Sequence, residues 1–473
     1  MTIKHRRILL AVLAVFFVLH LYNITAPPNG YHQWRESDTA AVMLNYYQED
    51  ANFLYPRCNQ RGATSGITGM EFPLYNYLGA TAYFVFGPHH ILPRLLTAAG
   101  GIVALLFLFG AVRRLIGEGE AVGATAAMAL SPLFFFYSSK IMPDVWMLMF
   151  LLGAVFWFVR FTEENSPKWF FFSALSLVLS ATIKPLGLCV YLPMLILLLS
   201  RRISKLVSFG MMAGYVALTL GLTLGWFLYA RHVTEVYGTQ AFYMGEFLGR
   251  FYEPLAKGEF YKKLLLQWPF ELWIGWLLVP ATICGAVRAV KDRIGLFFLL
   301  WIAGAYVVFA LNSFHSQSHD YYSIVIVPPL AVFSGVGLYR FAQGKRWRQW
   351  IVVGFCLAAM IALYPRLAHR FDPMEKFDAI REAVEANIPC NALVMVQEET
   401  TAIRLYQLNR RGWPLRPVKG GDVISLPEVR AAISEGAGYL VLLEPIEQYR
   451  DSLQLLFQDS VISLGAYYAY HVR

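Results

Sequence analysis

Charge is scarce in this chain: Asp, Glu, Lys and Arg make up 15% of its 473 residues, against roughly a quarter in soluble domains. With 57% hydrophobic residues and a mean hydropathy of +0.47, that scarcity excludes an ordinary water-soluble protein and predicts a polytopic membrane protein. Cysteine is also sparse. The five present form neither a CxxC pair nor any metal-ligand spacing, which removes the usual zinc-site frameworks. Cys189, Cys284 and Cys356 fall in apolar runs, while Cys58 and Cys390 fall in polar regions and could pair in an oxidising compartment. There is no internal repeat and no low-complexity tract, and the C-terminal region has no GxGxxG and no phosphate-binding loop. The net charge of +9 does not point to nucleic acid, because Lys and Arg sit in short clusters between apolar runs. That pattern reports topology.

What the chain has in abundance is apolar runs. The first spans Ile8 to Tyr22 behind Lys4, Arg6 and Arg7; without an Ala-x-Ala site it reads as an uncleaved span. Others recur at 91–112, 121–137, 144–160, 168–183, 185–200, 206–229, 270–288, 294–312, 322–341 and 350–364. These predict about 11 transmembrane helices, with Pro73 to Phe86 as an interfacial helix. Basic clusters at Arg113 and Arg114, Arg160, Arg201 to Lys205, Arg288 to Arg293 and Lys345 to Arg348 share one side with the amino terminus. By the positive-inside rule that side is cytoplasmic. The expected location is the inner (plasma) membrane, with the C-terminal part periplasmic in a Gram-negative cell. Two domains are expected: a membrane domain over 1–364, whose first extracytoplasmic loop is 23–90, and an extracytoplasmic α/β domain over 365–473. In the latter, strand-like runs at 392–396 and 439–443 are separated by helical patterns at 401–408 and 427–434.

The polar exceptions gather at run ends on the outer side. Trp34-Arg35-Glu36-Ser37-Asp38-Thr39 follows the first span and leads into a helical pattern, so Ser37 or Asp38 could serve as its cap. Further on come Glu71, Asp144 after Pro143, Lys184 amid an apolar stretch, Arg250, and the loop of His315, His319, Asp320 and Tyr321. Singly, Asp144 could cap a helix, Lys184 could reach headgroups and Arg250 could lie on a solvated face. Jointly, carboxylates, an arginine, a lysine and histidines at one level suit a phosphate-bearing lipid substrate.

Those stretches carry a resemblance. Trp34 to Ala40 resembles the acidic first-loop motif of the GT-C glycosyltransferases, in the branch of protein O-mannosyltransferases and the lipid A aminoarabinose transferase. Glu71-Phe72-Pro73-Leu74-Tyr75, Ser131-Pro132 through Met142-Pro143-Asp144, Ala181-Thr182-Ile183-Lys184-Pro185, Glu246 to Phe251, and His319-Asp320-Tyr321-Tyr322 with Pro328-Pro329 resemble later motifs of that branch, in the same order. Three departures stand out. The acidic pair is split into Glu36 and Asp38, Phe72 replaces a lysine, and Phe247 replaces a histidine.

The resemblance implies a membrane-embedded, inverting glycosyltransferase that uses a polyprenyl-phosphate sugar donor outside the cytoplasm. Asp38 is the expected base, with Glu36 beside it; Arg250, then Lys184, are the expected donor-phosphate partners. Glu71, Asp144, His319, Tyr321, Trp34 and Arg35 would hold the sugar or shape the cavity. No nucleotide cofactor is implied, and a divalent ion at Asp38 stays open. Two alternatives stay open as well: a glycan ligase or oligosaccharyltransferase using a polyprenyl diphosphate, and a lipid-linked sugar transporter or flippase. The acceptor, whether glycan, lipid or protein, is not specified.

Overall fold

A computed structural model describes residues 1–200, 205–239, 252–289, 293–371, 377–398, 403–416, 424–449, 451–463 and 467–473. From the amino terminus come α1 (Ile3–His20), α2 (Gln33–Gln48), α3 (Leu74–Phe86), α4 (Ile91–Leu115), α5 (Glu118–Ala129) and α6 (Pro132–Tyr137). They are followed by α7 (Asp144–Glu164), α8 (Pro167–Ile183), α9 (Tyr191–Leu199), α10 (Lys205–Tyr237), α11 (Tyr252–Leu255) and α12 (Gly258–Tyr261). Next are α13 (Gly275–Ala289), α14 (Arg293–Leu311), α15 (Ser313–Ser318), α16 (Val327–Ala342) and α17 (Arg346–Leu367). The C-terminal part runs α18 (Phe377–Asn387), β1 (Leu393–Gln397), α19 (Ile403–Gln407), β2 (Arg411–Leu415), α20 (Leu426–Ser434), β3 (Tyr439–Leu442), α21 (Asp451–Gln454), β4 (Phe457–Ser463) and β5 (Tyr468–Val472).

Among the described residues, six helical segments are long and apolar enough to cross a bilayer, or seven if the pair Gly258–Trp273 and Gly275–Ala289, bent by 108°, counts as one. The apolar runs counted as about eleven do not map one to one onto such helices. The run 121–137 divides because Ser131 caps a new helix through the backbone N–H of Phe134, with Pro132 at its first turn. The runs 168–183 and 185–200 form α8, of 17 residues, and, after a break, a 3-10 turn at Pro185–Val190 with α9, of 9 residues, each shorter than a full span. Lys184 and Pro185 force that break, since Lys184 is extended at φ −151° and the proline disfavours helix in the residue before it. The 18 residues of α1 include Lys4, Arg6 and Arg7.

The chain divides into two compact units. The first comprises Met1–Ile24, Arg94–Leu228 and Met244–His369. Its helices pack through small residues: a methyl group added at Gly335 of α16 would lie 2.1 Å from the backbone nitrogen of Ala124 in α5. Such contact needs glycine, and it suits membrane helices, whose association rests on close packing.

The second unit comprises Thr25–Pro93, Tyr229–Tyr243 and Arg370–Arg473. It holds a five-stranded sheet in the order β2-β1-β3-β5-β4, with β1 parallel to β2 and β3, and with β5 antiparallel to β3 and β4. The α/β reading of the C-terminal region is thus borne out, and the partly parallel sheet is present. Val394, Val396 and Val441 pack with Ile380, Val384 and Leu405 on one face, and Met395, Leu440 and Leu442 pack with Val429 and Phe457 on the other. Burial on both faces explains why β1 and β3 read as continuous apolar runs. Residues of the 25–93 stretch belong to the same unit: the N–H groups of Arg61 and Gly62 donate to the Gly412 carbonyl at 3.1 and 3.0 Å.

Candidate functional site

Among the described residues, each unit holds a cluster of buried ionisable side chains. In the second unit, α2 begins at Gln33 behind His32, a left-handed residue at φ 62° that follows Gly30 at φ 67°. The helix therefore starts a full turn before Ser37 and Asp38. Neither can be its cap, which corrects that expectation. Both lie inside a helix buried from Arg35 to Tyr46. Gly79 of α3 permits the close approach of Met43, whose sulfur would lie 2.5 Å from an added methyl.

On this helix Glu36 is fully buried and Asp38 is 7% exposed. The backbone N–H of Asn29 donates to Glu36 Oε2 at 3.3 Å, and the Arg35 guanidinium pairs with Glu71. Trp34, half-buried at the helix start, meets His32 edge-on with ring centroids 6.4 Å apart. The structure thus joins Arg35 to Glu71 across 36 positions of sequence. Further along, Glu49 accepts two hydrogen bonds from Arg61, at 2.7 and 3.0 Å, and a third from Arg411 at 2.9 Å. Burial raises the Glu49 pKa, but Arg61 and Arg411 outweigh it and hold the carboxyl below its ordinary value. Burial pushes the Cys58 thiol up to about 12, with Arg61 opposing and Asp38 adding to the rise. Cys58 is buried and free, its Sγ donating to the Gln60 carbonyl at 3.4 Å, while Cys390 is exposed and free. The suggested disulfide is not formed.

In the first unit, Asp144 is the opening residue of α7 and makes no cap bond. It is fully buried, and its Oδ1 accepts a hydrogen bond of 2.5 Å from Lys184 Nζ. Among the described residues its Oδ2 accepts none. Lys184 is 7% exposed, so it does not reach out as a surface lysine; its ammonium lies 4.1 Å from the ring centre of Tyr321 and 4.8 Å from that of Tyr322. His319 stacks on Tyr321 with centroids 5.3 Å apart. Tyr137, at the end of α6, donates its hydroxyl to buried Asp320. Asp144, Lys184, His319 and Tyr321 are therefore brought together, as their shared placement at run ends suggested. Tyr137 was missed, because nothing in an aromatic at the end of Phe134-Phe135-Phe136 marks it as a carboxylate partner.

Arg250 lies outside the described residues. Among the described residues, no three His, Cys, Asp or Glu side chains gather as metal ligands.

Residues 71–228 match the dolichyl-phosphate-mannose-protein mannosyltransferase family. No curated protein sequence matches the chain. Among solved structures, ArnT from Cupriavidus metallidurans bound to undecaprenyl phosphate is similar over 100% of this chain and 98% of its own, with 13% identity and a TM-score of 0.67. The archaeal oligosaccharyltransferase AglB from Archaeoglobus fulgidus, in complex with an inhibitory peptide and a dolichol-phosphate, is similar over 100% of this chain and 75% of its own, with 12% identity and a TM-score of 0.59. The arabinofuranosyltransferase AftD from Mycobacteria is similar over 99% of this chain and 41% of its own, with 13% identity and a TM-score of 0.51. The chain has the fold of the GT-C membrane glycosyltransferases, as its motifs suggested. Its apolar helices and that fold make it a multi-pass membrane protein.

Proposed function

We propose that this protein is an inverting glycosyltransferase that moves a sugar from a polyprenyl-phosphate donor to an acceptor on the extracytoplasmic face of the inner membrane, with its amino terminus cytoplasmic. The observation that carries the reading is the burial of Glu36 and Asp38 within α2, where neither caps the helix. Burying a carboxylate is expensive, and ionisable residues at such sites mark chemistry.

In this reading Asp38 accepts the proton of the acceptor hydroxyl as its oxygen attacks the anomeric carbon. The bond from that carbon to the lipid phosphate breaks, and the leaving phosphate takes the electron pair. Arg250 neutralises the phosphate through a two-pronged hydrogen bond, and Lys184 supplies a second, point-like charge. Glu36, Arg35 and Glu71 position the base. Trp34, Asp144, His319 and Tyr321 hold the sugar, the Oδ2 of Asp144, which accepts no hydrogen bond among the described residues, being suited to a sugar hydroxyl. The match to ArnT bound to undecaprenyl phosphate supports the donor class.

The test is product formation by the purified protein in detergent, where transport across a membrane has no meaning. Polyprenyl-phosphate and polyprenyl-diphosphate sugars are offered in parallel. Transfer from the monophosphate donor supports the reading. Transfer confined to the diphosphate donor makes the protein a ligase of the oligosaccharyltransferase kind, and binding without transfer makes it a transporter.

A further inference from the structure

One well-formed cavity among the described residues belongs to neither polar cluster. It is an open groove of about 740 Å³ within the first unit, walled by α1, α5, α16 and α17. Ile8, Val12 and Val15 line it from α1, Ala126 from α5, and Val353 and Leu357 from α17. Its α1 wall runs from Lys4 to Leu19, about 22 Å at 1.5 Å per residue. One leaflet's share of the bilayer hydrocarbon is about 15 Å, so a full acyl chain fits along it.

Charge is confined to one end. There Lys4 and His5 line the groove beside Gln343 and Gln349, at the level where α17 begins with Arg346 and Arg348. The nearby carboxylate of Glu118 is engaged by His5 at 3.3 Å and Arg113 at 3.5 Å. Lys4 donates only to the neutral amide oxygen of Gln349, at 3.2 Å. Among the described residues, Lys4, Arg346 and Arg348 have no carboxylate partner. The groove thus offers cations in excess at one end and hydrocarbon along the rest.

Position separates this end from the Asp320 and Tyr321 cluster. Asp320 precedes α16, whereas Leu338, Tyr339 and Ala342, at the far end of α16, line the charged end. The 16 residues of α16 and the seven of the turn before it span about 35 Å at helical rises of 1.5 and 2.0 Å, which is close to a bilayer's thickness. A lipid whose phosphate sat at Tyr321 would present its headgroup at the wrong end of the groove.

We propose that the groove is a binding site for one anionic phospholipid of the leaflet opposite that cluster, with an acyl chain between α1 and α17 and its phosphate at Lys4 and the start of α17. Basic residues at a membrane surface favour anionic headgroups. The proposal does not depend on the transfer reaction.

The test is native mass spectrometry of the full chain, delipidated in detergent and titrated with phosphatidylglycerol or phosphatidylcholine. One phosphatidylglycerol should bind per chain at a concentration at least tenfold below that needed for phosphatidylcholine. Lys4→Glu, at an exposed position, should abolish that preference while leaving phosphatidylcholine binding unchanged. Val353→Trp, which fills the groove from a side chain 46% exposed, should weaken both lipids at least tenfold. Equal binding of both lipids by the native chain, or binding that neither variant alters, overturns the proposal. So does displacement of phosphatidylglycerol by equimolar undecaprenyl phosphate, which would give the groove to the donor.

Discussion

The pair Asp144 and Lys184 is buried, whereas in the pair Arg35 and Glu71 the glutamate is half-buried, and the two are held in different ways. Lys184 sits between one carboxylate oxygen and two tyrosine faces, in the break between two apolar helices, and its partner keeps a second oxygen unengaged among the described residues. Arg35 pairs with Glu71 from within a buried helix that also carries Glu36 and Asp38. Burial makes each charge costly without its partner. The first arrangement leaves one carboxylate oxygen unengaged among the described residues; the second gathers further carboxyl side chains along one buried helix.

Substitution at Asp38 tests the second arrangement most sharply. Asn is nearly the size of Asp, and Asp38 caps nothing, so Asp38→Asn should fold and insert normally. It cannot accept a proton at neutral pH. Transfer should fall by about a hundredfold to ten-thousandfold, the usual worth of a positioned base, while donor binding persists. Glu36→Gln should be much milder. The reverse ranking, measured as turnover in detergent, moves the base to Glu36; two fully active variants remove catalysis from α2.

Breaking the first arrangement should show in stability before it shows in rate. Asp144→Ala leaves the Lys184 ammonium buried against two rings without its carboxylate, and such a loss costs about 3–5 kcal/mol. The pair replacement Asp144→Leu with Lys184→Met removes both charges and should restore much of the melting temperature without restoring transfer. If the single variant melts like the native chain, water reaches Lys184 and the pair is not a buried one.

Arg250→Lys sharpens the comparison between a point charge and a planar one. Lys184 already supplies the former in the proposed reaction, so a second lysine keeps the charge and loses the fork. Loss of one hydrogen bond to a charged group should weaken apparent donor affinity by about 1.5–3 kcal/mol. Unchanged affinity in a donor titration would return Arg250 to a solvated surface.

Membrane class, the GT-C fold and the α/β character of the C-terminal region were legible because hydropathy and ordered motifs are local properties of sequence. So was the gathering of Asp144, Lys184, His319 and Tyr321 at the ends of apolar runs, although the ion pair between the first two was not. The start of α2 was not, since it depends on the left-handed turn at Gly30 and His32 rather than on a capping side chain. Counting apolar runs overlooked the break at Ser131, where a cap starts a new helix without ending hydrophobicity, and the shortness of the helices on either side of Pro185. The shared unit of residues 25–93 and 370–473 had no local signal, because backbone bonds such as those from Arg61 and Gly62 to Gly412 leave no mark on composition.

Glu49 gives the smallest effect and concerns that shared unit alone. Its carboxylate ties Arg61, from the 25–93 stretch, to Arg411 at the start of β2. Because its folded pKa lies below the ordinary value of 4.5, it stabilises the folded state fully above that value. The contribution is lost as pH falls through the lower, folded pKa. The side chain is 20% exposed, which limits the effect, so Glu49→Gln should cost about 1–2 kcal/mol at neutral pH. Thermal unfolding of the full chain in detergent should show that gap at pH 7 and show it closing as the pH is taken below 4.5. A gap of constant size across that range would mean that Glu49 acts through packing, with its charge playing no part in joining the two stretches.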